Sequence, residues 1–153
     1  MAYKIEICQL SDIHELLLIE AQCHAFPWSK GNFISCFSSG YVVRKILIKR
    51  KVVGFYVVHN LPRIQESTLM DICVLPSYQG KGIGGLLIQD MLALLKQDNI
   101  CTIFLEVRAS NKPAIALYEN YDFVINGVRK DYYPSENGRE DAILMMLDLG
   151  AHQ

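Results

Sequence analysis

A chain of 153 residues that is 51% hydrophobic and 20% charged is long enough to build one domain around a sizeable core and too apolar for intrinsic disorder. Its formal net charge of −1 carries no polyanion signal and argues against a nucleic-acid-binding module. Cys8, Cys23, Cys36, Cys73 and Cys101 are odd in number and lack CxxC spacing. They read as free, buried thiols of a reducing compartment, and no metal site is expected.

In chain order, Tyr3 to Gln9 alternates as a first strand. Ser11 is placed to cap a helix running to about Ala21, with Ile13, Leu16, Leu17 and Glu20 sampling its faces. A loop follows at His24 to Ser29, because Pro27 disfavours helix at Phe26, and Ser29 caps a short helix ending near Phe37. Tyr41–Lys49 and Val52–Asn60 read as a hairpin turning at Arg50-Lys51, with Glu66–Val74 as a third antiparallel strand. A helix from about Gly84 to Asn99 carries Leu86, Leu87, Met91, Leu94 and Leu95 at helical spacing. Cys101–Val107 returns as a strand parallel to the one ending at Val74, since a helix crosses over between them. Asn111–Asn120 is a last helix, with Pro113 tolerated in its first turn. Phe123–Lys130 and Ala142–Leu149 close the sheet around a loop at 131–139. No leader pattern opens the sequence, and no apolar run approaches the ~20 residues that span a bilayer. A cytoplasmic protein folded as a single domain over 1–153, without membrane contact, is expected.

The stretch that organises the chain is 69–88, an apolar strand, then Pro76, then a glycine-dense turn opening a helix. Glycines there leave backbone N–H groups uncovered beside a helix N-terminus, a ready cradle for a phosphate or pyrophosphate. Gly80-x-Gly82-x-x-Gly85 matches the dinucleotide fingerprint, with Glu106 near the position of its acid. However, residues 76–79 separate strand from glycines, only one βαβ unit is visible, and a hairpin precedes it. A Walker loop is excluded because Lys81 is followed by Gly82 and Leu75 replaces its first glycine.

Three positions are candidates for chemistry. Alternation puts Thr102, Phe104 and Glu106 on one strand face, where Glu106 is either a solvated partner of Arg108 or a partly desolvated general base. Asn111 and Tyr118 lie two helical turns apart on nearly one face. Tyr118 is either a half-buried aromatic or the acid that protonates a departing thiolate. Phe26 and Trp28 are either ordinary packing or the walls of a substrate groove. His14, His24, His59 and His152 read as surface or loop residues. No histidine stands at a spacing that would activate Cys73 or Cys101 as an acyl-carrying nucleophile.

Gln79-Gly-Lys-Gly-Ile-Gly84 resembles the Gln/Arg-x-x-Gly-x-Gly/Ala pyrophosphate loop of the GCN5-related N-acetyltransferases (GNAT). Leu105-Glu-Val-Arg-Ala-Ser-Asn111, Ala114-Ile-Ala-Leu-Tyr-Glu119, Gly138-Arg-Glu-Asp-Ala-Ile143, Ala25-Phe-Pro-Trp-Ser29 and Tyr132-Tyr-Pro134 are similar to the bacterial ribosomal-protein-alanine acetyltransferases of the RimI type. The likeness covers nearly the whole chain. It implies the α/β (α+β) GNAT fold: a mixed, mostly antiparallel sheet of about seven strands with flanking helices and an acetyl-CoA cleft splayed between the strands ending at Val74 and Val107. It further implies Glu106 as base and Tyr118 as acid. The backbone of Ile72, Cys73 and Val74 would pair with pantetheine, and Asn111 would touch that arm. Gln79, Gly80, Lys81, Gly82, Ile83, Gly84 and Gly85 would hold the pyrophosphate. Gly80 and Gly85 stand where other members often carry basic side chains, leaving Lys81 as the loop's charge.

The acceptor implied by the resemblance is the N-terminal alanine of the eighteenth small-subunit ribosomal protein, acetylated by direct transfer. Energetics agree, since freeing an α-amine of pKa ~7.8 at pH 7 costs about 1 kcal/mol, against about 4.6 kcal/mol for a lysine. Tyr132 and Tyr133 are expected to clamp the peptide, with Phe26 and Trp28 shaping the pocket and Asp131, Glu136 or Glu140 steering basic residues. The alternatives are a small-amine acetyltransferase of the same superfamily, acting on a polyamine, amino acid or antibiotic, and a non-catalytic acyl-CoA-sensing module.

Overall fold

The computed structural model describes residues 2–150, so His152 lies outside the described residues. Seven strands form one sheet: β1 Lys4–Ile7, β2 Tyr41–Ile48, β3 Lys51–Leu61, β4 Glu66–Val74, β5 Thr102–Arg108, β6 Val124–Ser135 and β7 Gly138–Asp148. Their spatial order is β1-β2-β3-β4-β5-β7-β6. Every neighbouring pair is antiparallel except β4 and β5, which are joined by the crossover helix. The helices are α1 Ile13–Cys23, α2 Lys30–Ser35, α3 Ile83–Gln97 and α4 Lys112–Asn120.

The central strand β3 is buried without interruption from Val52 to Val58, because helices cover both of its faces. On one face Phe55 meets Phe33 of α2 edge-on, with ring centroids 5.6 Å apart. On the other, the Tyr56 hydroxyl donates to Asp90 of α3 at 2.6 Å. Arg44 of β2 grips the same carboxylate with two nitrogens at 2.7 and 3.0 Å, so a bidentate charge-assisted pair and a phenol fix α3 on the sheet. Among the described residues the buried side chains form one continuous core.

Several local expectations shift. Ser11 does not cap α1. A 3-10 turn, Leu10–Asp12, precedes the helix, and the Asp12 carboxylate accepts from the Gln9 N–H at 2.7 Å and from Lys45 at 2.8 Å. The first hairpin turns one residue earlier than expected, at Lys49 and Arg50, both with positive φ (51° and 66°). The segment expected as a loop at 131–139 is mostly strand: β6 and β7 pair through Tyr133↔Glu140 and Ser135↔Gly138. Asp131, at φ 52°, absorbs the irregularity. As an edge strand, β6 tolerates Pro134 without losing a ladder bond. Ser29 does cap α2, accepting from the Asn32 N–H at 3.2 Å. Asn99 ends the α3 region in the left-handed conformation at φ 60°.

Replacing Asp90 with alanine leaves Arg44 and the Tyr56 hydroxyl unpaired. The expected cost is about 2–3 kcal/mol, read as a lowered urea midpoint with an unchanged m-value.

Candidate active site

Strands β4 and β5 pair only from Glu66↔Thr102 to Leu69↔Leu105, yet β4 runs on to Val74 and β5 to Arg108. The register of β4 on β3 skips a residue between Leu69 and Asp71, so Met70 is a bulge that bends β4 just where the pairing stops. A cleft of about 670 Å³ opens there.

One wall is the free edge of β4. The Leu75 N–H donates to Val53 at 2.8 Å. A β-carbon placed on Gly54 would lie 2.6 Å from the Cys73 carbonyl, so that carbonyl faces β3. By alternation, the backbone groups of Ile72 and Val74 face the cleft and those of Cys73 do not. The Val74 carbonyl is met instead by the Gln79 side-chain amide at 2.9 Å and the Cys23 thiol at 3.2 Å. Of the three residues expected along the pantetheine arm, Cys73 thus turns its backbone to the sheet, and its buried side chain lines the cleft floor.

The glycine stretch forms the cleft's end. Gly82, at φ +81°, precedes α3 with no side-chain cap, and the first helical bond runs from Leu86 N–H to Gly82. The N–H groups of Ile83, Gly84 and Gly85 therefore have no intrahelical partner, at the positive end of a 15-residue helix. At Gly85 a β-carbon would sit 2.8 Å from the Tyr121 hydroxyl of the chain after α4, so the end of that side chain would have to shift. Gln79, Gly80, Gly82, Ile83, Gly84 and Gly85 all line the cleft. Lys81 does not: its ammonium stands 5.3 Å from the Tyr78 ring centroid, in a separate depression shared with Lys49 and Lys51.

The opposite wall carries the titratable side chains. Glu106 lies on the less buried face of β5, as alternation predicts, and pairs with Arg129 at 3.4 Å rather than with Arg108. Tyr118 is 5% exposed; burial pushes its hydroxyl well above the ordinary phenol range, aided by nearby Asp71 and Cys73. Both line the cleft, so one cavity holds a carboxyl side chain and a phenol that stays protonated at neutral pH. Asn111 lines it too, but stands before α4 with its side-chain oxygen capping the Ala114 N–H at 3.2 Å.

A family model described as the acetyltransferase (GNAT) family matches residues 9–123. The chain is 37% identical over 145 residues to the [Ribosomal protein bS18]-alanine N-acetyltransferase of Escherichia coli K12, covering 95% of this chain and 97% of that one. The chain belongs to the GNAT family. The crystal structure of the E. coli ribosomal-protein-S18-alanine N-acetyltransferase superposes with a TM-score of 0.92 at 36% identity, over 97% of this chain and 94% of that one. Arabidopsis thaliana NAA60, solved with acetyl-CoA, shares the fold at a TM-score of 0.87 and 16% identity, over 97% and 99% of the two chains.

In this GNAT chain the cleft mouth is organised by Arg108, a residue read from sequence only as a partner for Glu106. Its guanidinium lies 5.2 Å from the Phe26 ring centroid and 4.6 Å from that of Tyr133. It also donates to the Pro134 carbonyl at 2.6 Å and to Glu140 at 2.9 Å. Glu140, one of the three acids expected to steer a peptide, is tied to Arg108 and to the Ser110 N–H. Phe26, Trp28 and Tyr133 line the cleft, and Trp28 packs on Phe33 at 5.3 Å. Tyr132 does not line it. Its ring meets that of Tyr133 edge-on at 5.0 Å and stands under Arg129 at 5.4 Å.

His24 is a second miss, because it is not a bystander: its Nε2 is 3.2 Å from Asp71 and 3.3 Å from the Cys73 sulfur. Beside it Glu20, 1% exposed, accepts the Trp28 N–H at 2.9 Å. Burial and then the neighbouring Asp71 push the Glu20 carboxyl up to about 8, while the hydrogen bond to Asp71 raises His24. The folded state therefore keeps protons that the unfolded chain releases above pH ~4.3. Stability should be highest at acid pH within the folded range and fall as pH rises towards about 8, by at most about 1.4 kcal/mol per pH unit per proton. Urea midpoints between pH 5 and 8.5 in EDTA-containing buffer measure this slope, and Glu20→Gln should flatten it.

Proposed function

We propose that the protein transfers the acetyl group of acetyl-CoA to the N-terminal alanine amine of the eighteenth small-subunit ribosomal protein within one ternary complex. The observation that carries this is the near full-length likeness to enzymes named for that reaction, joined to one cleft that holds both Glu106 and Tyr118.

Acetyl-CoA would supply the acyl thioester. The unpaired N–H groups at the start of α3 suit its pyrophosphate, and the backbone of Ile72 with the N–H of Val74 suits the amides of its pantetheine arm. Glu106 accepts the proton lost by the attacking amine, directly or through water. Tyr118 donates a hydrogen bond and then its proton to the sulfur as the carbon–sulfur bond breaks. Its raised pKa keeps that proton in place until it is needed. Phe26 and Tyr133, held around Arg108, and Trp28, packed on Phe33, line a mouth that favours a small first residue on an extended peptide.

Two experiments test the reading. Glu106→Gln and Tyr118→Phe should each lower kcat by about 10²-fold or more while acetyl-CoA binding persists, because neither side chain holds the nucleotide. Unchanged turnover in both would remove the proposed acid and base. An intact-mass assay with two peptides, one starting with free Ala-Arg and one N-terminally blocked with an internal lysine, should show acetylation of the first alone. Modification of the blocked peptide would point to a lysine acceptor, and modification of neither would turn the search to small amines.

A further inference from the structure

The four side chains that the acyl-transfer chemistry leaves unused, Glu20 and His24 from α1 and Asp71 and Cys73 from β4, converge on one point at the floor of the cleft. Their spacing is that of a chelate. Glu20 and His24 are four apart at the end of a helix, so they share a face; Asp71 and Cys73 are two apart on a strand, so they do too. Cys73 sulfur lies 3.2 Å from Glu20 Oε1, 3.3 Å from His24 Nε2 and 3.5 Å from Asp71 Oδ1. His24 Nε2 lies 3.2 Å from Asp71 Oδ1 and 3.8 Å from Glu20 Oε1, and all four donor atoms fall within 4.8 Å of one another. A tetrahedral zinc ion, with bonds of about 2.0–2.3 Å, holds its ligands about 3.3–3.7 Å apart.

Without a bound cation, only protons on the cluster's own side chains balance its two acids. The Cys73 sulfur lies within reach of all three other side chains. Asp71 is 9% exposed, its side chain 6% exposed, and its Oδ2 is buried with no hydrogen-bond partner. Among the described residues no lysine or arginine is paired with either carboxylate. Two buried acids and a buried thiol around a partly exposed imidazole, with an orphaned oxygen, are costly as they stand, and a divalent ion would complete all four.

We propose that Glu20, His24, Asp71 and Cys73 form a zinc site. The thiolate and imidazole select a borderline-soft ion over magnesium or calcium. With four protein donors the coordination sphere is closed, which makes the ion structural rather than catalytic. It clips the end of α1 to the bulged strand β4 and so fixes the Phe26–Trp28 wall of the cleft. The ion enters from the cleft, which Glu20, His24 and Cys73 line, past the His24 side chain, 35% exposed. Binding releases the Cys73 thiol proton and any proton held by the two carboxyls.

The test uses the full chain, stripped with a chelator, desalted and titrated with zinc chloride and separately with cobalt(II). One equivalent of zinc should be retained through desalting and should raise the Tm. Cobalt should give the near-ultraviolet thiolate charge-transfer band and the intense visible bands of a tetrahedral ion. Cys73→Ser should abolish the charge-transfer band, and the isosteric Asp71→Asn should weaken zinc at least tenfold, while Cys101→Ser, at the far end of β5, binds as the parent does. Should Cys73→Ser prove unfolded, Asp71→Asn alone decides. The proposal is overturned if the stripped chain retains no zinc, if cobalt shows no thiolate band, or if Asp71→Asn binds zinc as tightly as the parent. None of these readouts depends on acetyl transfer.

Discussion

Two parallel strands that stop pairing while both continue create an obligation, because backbone N–H and C=O groups left without water or partners are costly. β4 beyond Leu69 and β5 beyond Leu105 stand in that relation, and the structure around them answers it. Gln79 and Cys23 reach back to the Val74 carbonyl, and a second set of unpaired donors waits at the start of α3. The Met70 bulge keeps the gap open, while the Arg44–Asp90–Tyr56 cluster stops α3 from sliding into it. An extended ligand with amides and a phosphate-rich end is complementary to that gap.

The two sides of the cleft divide the electrostatic work. The α3 terminus offers positive partial charge with no carboxylate cap, and Lys81 is turned aside over Tyr78, so the positive potential at this end of the cleft comes from backbone rather than side chains. This explains why the loop tolerates so many glycines: Gly82 supplies the positive φ, and Gly85 yields space to Tyr121. The β5 side instead carries Glu106 and the Arg108 hub. Phe26, Tyr133, Pro134 and Glu140, drawn from two distant segments, converge on Arg108, so one guanidinium sets the shape of the mouth. At the floor, α1 and β4 bring buried acids against a thiol and an imidazole, an arrangement stable only when protons or a cation balance it.

Strands and helices were legible where a local pattern was strong. The bounds of β4 and the crossover that makes β5 parallel to it followed from alternation and from one helical stripe. Local errors arose where tertiary pairing outweighed propensity. Lys49 and Arg50 take positive φ without glycine because the hairpin register demands it. The tract 131–139, rich in turn formers, becomes strand because β7 offers a ladder along the whole of β6. Asp12, not Ser11, organises the start of α1 because Lys45, 33 residues away, holds its carboxylate.

The sequence by itself determined the class of protein, through motifs that resemble a known family. It also marked the glycine-rich turn before a helix and singled out Glu106 and Tyr118 as candidates, since each lies in short-range spacing and residue type. Tertiary structure decided which neighbours those residues have. Glu106 meets Arg129 rather than Arg108, Tyr133 enters the cleft while Tyr132 leaves it, and Cys73 faces Glu20 across 53 residues of chain. Periodicity says which face of an element a side chain takes, but only packing between elements says what lies opposite. The Glu20–His24–Asp71–Cys73 cluster, built from two unremarkable spacings on a helix and a strand, exists solely because the core places α1 across β4.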